Sequence, residues 1–185
     1  DDIKRFSVMY SIPVELIRSL VNDYGEDRAK AFAGFSVGDE KATFIRRNPL
    51  KCSYEELVKA LGNVELSTDD QLCCRLENGG VIGTNAFKSG FFHVQDISSQ
   101  ICCEVLAPTE NDVVLDICAA PGGKSFAAAM CMENRGELIS CDIHPHKLKL
   151  IEKGAQRLGI RILTTRLQDA SQPVEEFMHS MDAVL

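Results

Sequence analysis

The sequence has no long apolar run of the kind that crosses a membrane and no basic-then-apolar leader. A cytoplasmic protein without membrane contact is therefore expected. No Cys-x-x-Cys occurs among its eight cysteines, which excludes the usual zinc-knuckle and thioredoxin-type spacings. Two cysteine pairs are adjacent, Cys73-Cys74 and Cys102-Cys103. With Cys131 they lie in apolar runs and read as buried free thiols acting as small hydrophobes. Cys118 and Cys141 differ, because both fall at the C-terminal ends of expected strands. Basic residues are in deficit, 20 against 27 acidic, and a formal charge of −7 argues against nonspecific binding to a phosphate backbone. The deficit is uneven. Residues 1–50 are balanced at eight of each sign, and "FIRRNPLK" (44–51) within them is the best candidate for nucleic-acid contact. Internal repeats and low-complexity linkers are also absent.

What is present divides into two patterns. Pro13 suits a first helical turn, Val14, Ile17, Val21 and Tyr24 recur at helical spacing, and Gly25 ends the pattern. A second short helix is expected over 26–35. "KATFIRRN" reads as a strand, and "SYEELVKALG" as a helix opened by a capping box, Ser53 with Glu56, and closed at Gly62. Residues 64–93 read as irregular and strand-rich, punctuated by "NGG" and "SG". Asp96 caps a helix through "ISSQICCEVLA" with Ile97, Ile101, Val105 and Leu106 on one face, and Pro108 breaks it. Residues 1–107 are thus a small amino-terminal helical and α+β subdomain.

From 108 onward strand and helix alternate: "DVVLD", "GKSFAAAMCM", "GELISCD", "PHKLKLIEKGAQRLG", "RILTTRL". Leu148, Ile151, Ala155 and Leu158 face inward on the second of these helices. Such alternation implies an α/β fold with a parallel, doubly wound sheet. "MDAVL" then opens a fourth strand, so 108–185 reads as the first half of a Rossmann-like domain. A free edge beside the first strand is expected to favour self-association through sheet pairing.

"LDICAAPGGKS" links the first strand to its helix and ends like a P-loop. The P-loop glycine five positions before Gly123 is missing, since Cys118 stands there. G-x-G-x-x-G is absent too. Asp116, Asp142 and Asp169 end or follow the three strands and are expected to face one crevice; Asp142 lies twenty residues past Gly122, the spacing of a ribose-binding acid. An acidic rim repels a triphosphate. It suits a nucleoside cofactor with a positive centre, S-adenosylmethionine, whose carboxylate can sit on the backbone N–H groups of "APGGK". Gly122 and Gly123 permit close backbone approach and Pro121 fixes the turn. The competing structural reading is a tight strand-to-helix turn with ordinary capping acids.

"VVLDICAAPGGKS", with "SIPVEL", "RRNPLK", "GFFHVQDISSQ", "CDIHPHKL", "LQDA" and "MDAVL" in order, resembles the Sun/RsmB family. These are bacterial methyltransferases that make 5-methylcytosine in small-subunit ribosomal RNA and are related to the NSUN enzymes. The resemblance implies a Rossmann-like methyltransferase domain binding S-adenosylmethionine through Cys118, Ala119, Ala120, Pro121, Gly122, Gly123, Lys124, Asp142 and Asp169. It implies ribosomal RNA as partner, and Gln95 and Asp96 as the joint between subdomains. Arg47 departs from the family's usual valine. The family supplies two cysteines for its chemistry, one of them in an Asp-x-Pro-Cys motif at the end of the fourth strand, which this sequence does not contain. The motif is expected just past Leu185, so no catalytic residue is assigned here and the 185 residues are expected to be inactive, Asp182 not standing in for the further cofactor acid. Bacterial members of the family often carry a helical RNA-binding domain ahead of the segment that corresponds to residue 1. The alternatives are a non-catalytic RNA-binding or assembly module and, ranked last, a P-loop nucleotidase.

Overall fold

The computed structural model describes residues 2–37, 43–62, 65–66, 72–76 and 80–185. Two compact units emerge, Asp1–Lys41 and Ala42–Leu185. The first holds helices α1 (Asp2–Tyr10), α2 (Val14–Tyr24) and α3 (Glu26–Val37). Phe6, Ile17 and Ala33 form its core. Gly25, at φ 83, ends α2 and returns its N–H to the Val21 carbonyl, as the sequence implied. Of the expected apolar stripe, Ile17 is buried, whereas Tyr24 is 60% exposed.

The second unit opens with an antiparallel sheet of β1 (Thr43–Arg47), β2 (Glu65–Leu66), β3 (Cys73–Leu76) and β4 (Phe92–Val94), ordered β2-β3-β1-β4. Helices α4 (Tyr54–Leu61) and α5 (Asn85–Lys88) accompany it. Ser53 and Glu56 close the capping box on α4, which satisfies amide donors that water would otherwise have to serve. Ile45, Leu57, Cys74, Leu76 and Phe92 make up much of the local core. Lys41 and Ala42 of the expected first strand, Val64, and Asn78 and Gly79 of the expected turn lie outside the described residues.

Helix α6 (Ile97–Leu106) leads into the parallel sheet. That sheet comprises β5 (Val113–Asp116), β6 (Glu137–Asp142), β7 (Leu163–Leu167) and β8 (Ala183–Val184), with α7 (Gly123–Cys131) and α8 (Pro145–Leu158) as crossovers. The order β7-β6-β5-β8 is that of a doubly wound sheet, the chain reversing direction between β5 and β8. Leu115 pairs with Ile139 on one side and Val184 on the other. The edge beside β5 is therefore occupied: the Leu185 N–H also donates to the Leu115 carbonyl and the Ile117 N–H to the Leu185 carbonyl. Val114, Phe126, Ala129, Leu138, Ile151 and Leu158 centre the core beneath this sheet.

Two side chains fasten the antiparallel sheet and its loops to α8, a crossover helix of the parallel sheet. Asn48, fully buried, donates through Nδ2 to the carbonyls of Gly90 and Leu158, both at 2.8 Å. Arg157 of α8 donates through Nη1 to the carbonyls of Phe87 at 2.7 Å and Phe92 at 3.0 Å, with its guanidinium 3.8 Å from the Phe87 ring centre.

The inward face of α6 differs from the expected one. Gln100 and Cys103 are buried, whereas Ile101 is 49% and Val105 81% exposed. Acceptors on that side explain it: Gln100 Nε2 donates to the Gln95 carbonyl and the Cys103 thiol to that of Lys124. The cysteine assignment also needs correction. Cys73, Cys74 and Cys103 are buried as expected, but Cys102 and Cys131 are exposed.

Candidate functional site

The segment 117–122 carries the chain from β5 into α7 over the carboxyl edge of the parallel sheet. The Ala119 N–H donates to the Cys141 carbonyl at 2.8 Å, tying the turn to the end of β6. The Ala120–Pro121 peptide is cis, and Gly122 follows at φ 107, in the left-handed region. A side chain on Gly122 would strike the Phe126 ring, and so would one on Gly154 of α8. Two glycines thus let one aromatic ring wedge between the loop and α8, a packing requirement added to the conformational one. No side chain caps α7. Its first-turn N–H groups point toward the loop, where the positive end of the helix dipole favours an anion.

On one side of the loop a cavity of about 330 Å³ is bounded by Cys118, Ala120, Asp142, His144, Lys147 and Asp169 among others. Asp142 is 7% exposed and accepts the His144 N–H through Oδ1 at 3.0 Å, while Lys147 Nζ stands 4.0 Å away. Asp169 accepts from the N–H and hydroxyl of Ser171, and that backbone donor holds its carboxyl below the usual range. A second cavity of about 290 Å³ lies where the β4–α6 corner meets the loop, lined by Gln95, Asp96, Ser99, Pro121, Gly123 and Lys124 among others. Cys118 and Ala120 border both cavities; Ala119 is buried at 4% exposure between the loop and β6.

The expected loop residues and two of the three acids are therefore brought together. Asp116 is not among them. It is fully buried, and its Oδ2 accepts from the Ser125 hydroxyl at 2.7 Å, which in turn accepts from Ser140 at 3.0 Å. Burial pushes its carboxyl upward, and it serves the base of the loop without entering the crevice. Asp96 caps α6, accepting from the Ser98 N–H and hydroxyl. Asp182 accepts the Val113 N–H and belongs to the β5–β8 seam.

Sequence reasoning missed His93. Its Nε2 meets Gln95 Oε1 at 3.1 Å, and its ring stands edge-on to Phe126 with centroids 5.9 Å apart. Burial, seconded by the charge of Arg46, drives its pKa down to about 4, so the imidazole is neutral. The available signal was two polar residues at strand spacing, His93 in β4 and Gln95 just past its end.

The arginine pair of 44–51 does not present a phosphate-binding surface. Arg46 and Asn48 are buried, and Arg47 Nη1 donates to the Cys52 carbonyl at 2.8 Å.

Among the described residues, no cluster of three or more His, Cys, Asp or Glu side chains is arranged to hold a metal, and no helix is long and apolar enough to cross a membrane. A doubly wound parallel sheet with an uncapped glycine turn and acids at the ends of the next two strands defines a methyltransferase-like α/β domain. Residues 103–185 match the family model of the 16S rRNA methyltransferase RsmB/F. A probable ribosomal RNA small subunit methyltransferase B from Bacillus subtilis is 34% identical over 181 residues, covering 96% of this chain and 40% of that protein. Its counterpart in Synechocystis is 29% identical, covering 89% and 38%. The chain thus spans about two fifths of the length of these relatives. The crystal structure of PH0851 superposes with a TM-score of 0.86 at 26% identity, over 100% of this chain and 43% of that one. NSun6 from Pyrococcus horikoshii, solved with SFG, shares the fold at a TM-score of 0.79 and 19% identity, over 85% and 66%. The chain belongs to the RsmB/F family of ribosomal RNA methyltransferases, the bacterial relatives of the NSUN enzymes.

Proposed function

We propose that these residues form the cofactor half of an S-adenosylmethionine-dependent enzyme that makes 5-methylcytosine in small-subunit ribosomal RNA. The observation that carries the reading is the 330 Å³ cavity in which loop residues Cys118 and Ala120 face Asp142 and Asp169. A carboxylate there accepts hydrogen bonds from ribose hydroxyls, which gives Asp142 the ribose; Asp169 accepts from the adenine amine. The cofactor's carboxylate sits at the uncapped start of α7, on the backbone N–H groups of Gly123 and Lys124, while Pro121 and Gly122 shape the turn that leads to them. Bound there, the group supplies an electrophilic methyl on a sulfonium.

The division of labour follows the chain: 108–185 holds the cofactor, and 1–107 contributes RNA contact. Gln95 and Asp96 form the joint. None of the eight cysteines is assigned as the nucleophile. Cytosine C5 attacks a methyl group only after a thiolate has added at C6, and Cys118 occupies the cofactor loop. The partner is ribosomal RNA in the cytoplasm.

The test pairs two readouts on the 185-residue chain. Equilibrium dialysis with labelled S-adenosylmethionine should retain the cofactor, and incubation with small-subunit ribosomal RNA should transfer no label to cytosine. Transfer of label would place the nucleophile among the cysteines present. Absence of retention would remove the cofactor site.

A further inference from the structure

Behind the cofactor loop, β1, α6 and the end of α7 enclose a positive charge that the fold neutralises poorly. Arg46 is 1% exposed, and its Nε and Nη1 have no hydrogen-bond partner. The nearest carboxylate is Glu104, whose Oε1 stands 3.8 Å from Nη1 and whose side chain is 40% exposed. Nη2 donates to the Cys131 sulfur at 3.6 Å. A guanidinium cannot lose its proton to escape burial, and its field reaches its neighbours: it lowers the pKa of buried His93 and opposes the burial that raises Cys103. Cys131, the last residue of α7, is exposed. A permanently charged donor shielded from water therefore rests on a thiol that solvent can reach.

We propose that Cys131 is an oxidative modification site, at which a hydroperoxide converts the thiol to a sulfenate held by Arg46. The sulfur attacks one peroxide oxygen; an S–O bond forms as the O–O bond breaks. Sulfur is oxidised by two electrons, and hydrogen peroxide is reduced to one water while its other oxygen stays on sulfur. The proton of the resulting sulfenic acid passes to solvent. The anionic oxygen gives the guanidinium an acceptor that the thiol supplies poorly, through charge-assisted hydrogen bonds. The C-terminal end of α7 opposes an anion, but it carries about half a charge, partly hydrated, against the full charge of a buried guanidinium. Reactive cysteines characteristically sit in such electropositive, partly exposed surroundings.

The protein carries its own controls. Cys102 and Cys118 are also exposed, and among the described residues no cation hydrogen-bonds to either sulfur. With limiting hydrogen peroxide and a 1,3-dione trap for sulfenic acid, peptide mass spectrometry should find Cys131 labelled about tenfold faster than Cys102 and Cys118. Arg46→Met should reduce it to their rate. Glu104→Gln, at an exposed side chain, removes the competing carboxylate and should raise the Cys131 rate about threefold while leaving the others unchanged. Equal labelling of the three thiols, or preference for Cys118, overturns the proposal. Should Arg46→Met fail to fold by circular dichroism, Glu104→Gln decides alone, and an unchanged Cys131 rate overturns it.

Discussion

Acidification to pH 5 should destabilise this protein through one imidazole. His93 is 4% exposed, and burial, helped by the charge of Arg46, lowers its pKa from 6.5 to about 4. In the unfolded chain the ring takes a proton near pH 6.5; in the folded chain it does so only near pH 4. Between those values the unfolded state binds more protons, so stability is full above pH 6.5, falls as the pH drops, and bottoms out below pH 4. At 1.36 kcal/mol per pKa unit the complete loss is about 3 kcal/mol, and about 2 kcal/mol of it has gone by pH 5. The sequence has no tryptophan, so far-UV circular dichroism is the suitable probe for urea unfolding at pH 7.5 and pH 5. The parent should lose about 2 kcal/mol more than His93→Gln across that interval. Asp116 acts with the opposite sign, because burial raises its carboxyl, but it is present in both proteins and cancels in the difference. Equal losses in parent and variant would mean that His93 is hydrated or already paired with an anion. The buried seam beneath the loop would then be wrong.

Further outcomes follow from packing. Gly122→Ala combines a positive φ with collision against Phe126 and should cost about 3 kcal/mol, roughly 6–12 °C in melting temperature; an unchanged melting curve would show that the wedge is not tight. Asn48→Ala orphans the carbonyls of Gly90 and Leu158 in a buried site and should destabilise by about 2–4 kcal/mol in urea titration, whereas a loss below about 1 kcal/mol would mean that water replaces the amide.

The alternation from β5 to β7 was legible because each element is long enough for its period to show, and the parallel order follows from crossovers such as α8. Asp142 and Asp169 were legible for a related reason: position at a strand end fixes the edge of the sheet they occupy. Strand position does not fix which way a side chain turns. Asp116 ends β5 just as Asp142 ends β6, yet it turns inward to Ser125, a partner nine residues further on that no local pattern reveals. Counting apolar residues misjudged α6, because Gln100 and Cys103 find carbonyl acceptors inside while Ile101 and Val105 stay outside. Arg46 looked like a surface cation for the same reason; only the pairing of β1 between β3 and β4 places it in the interior.

Calorimetric titration with S-adenosylhomocysteine, run on the parent and on Asp142→Ala, tests the central claim most directly. The parent should bind it and not magnesium-ATP, and Asp142→Ala should weaken binding by about 10- to 100-fold, the worth of hydrogen bonds to a charged acceptor. Equal affinities in the two proteins, or magnesium-ATP binding with the homocysteine compound excluded, would contradict it.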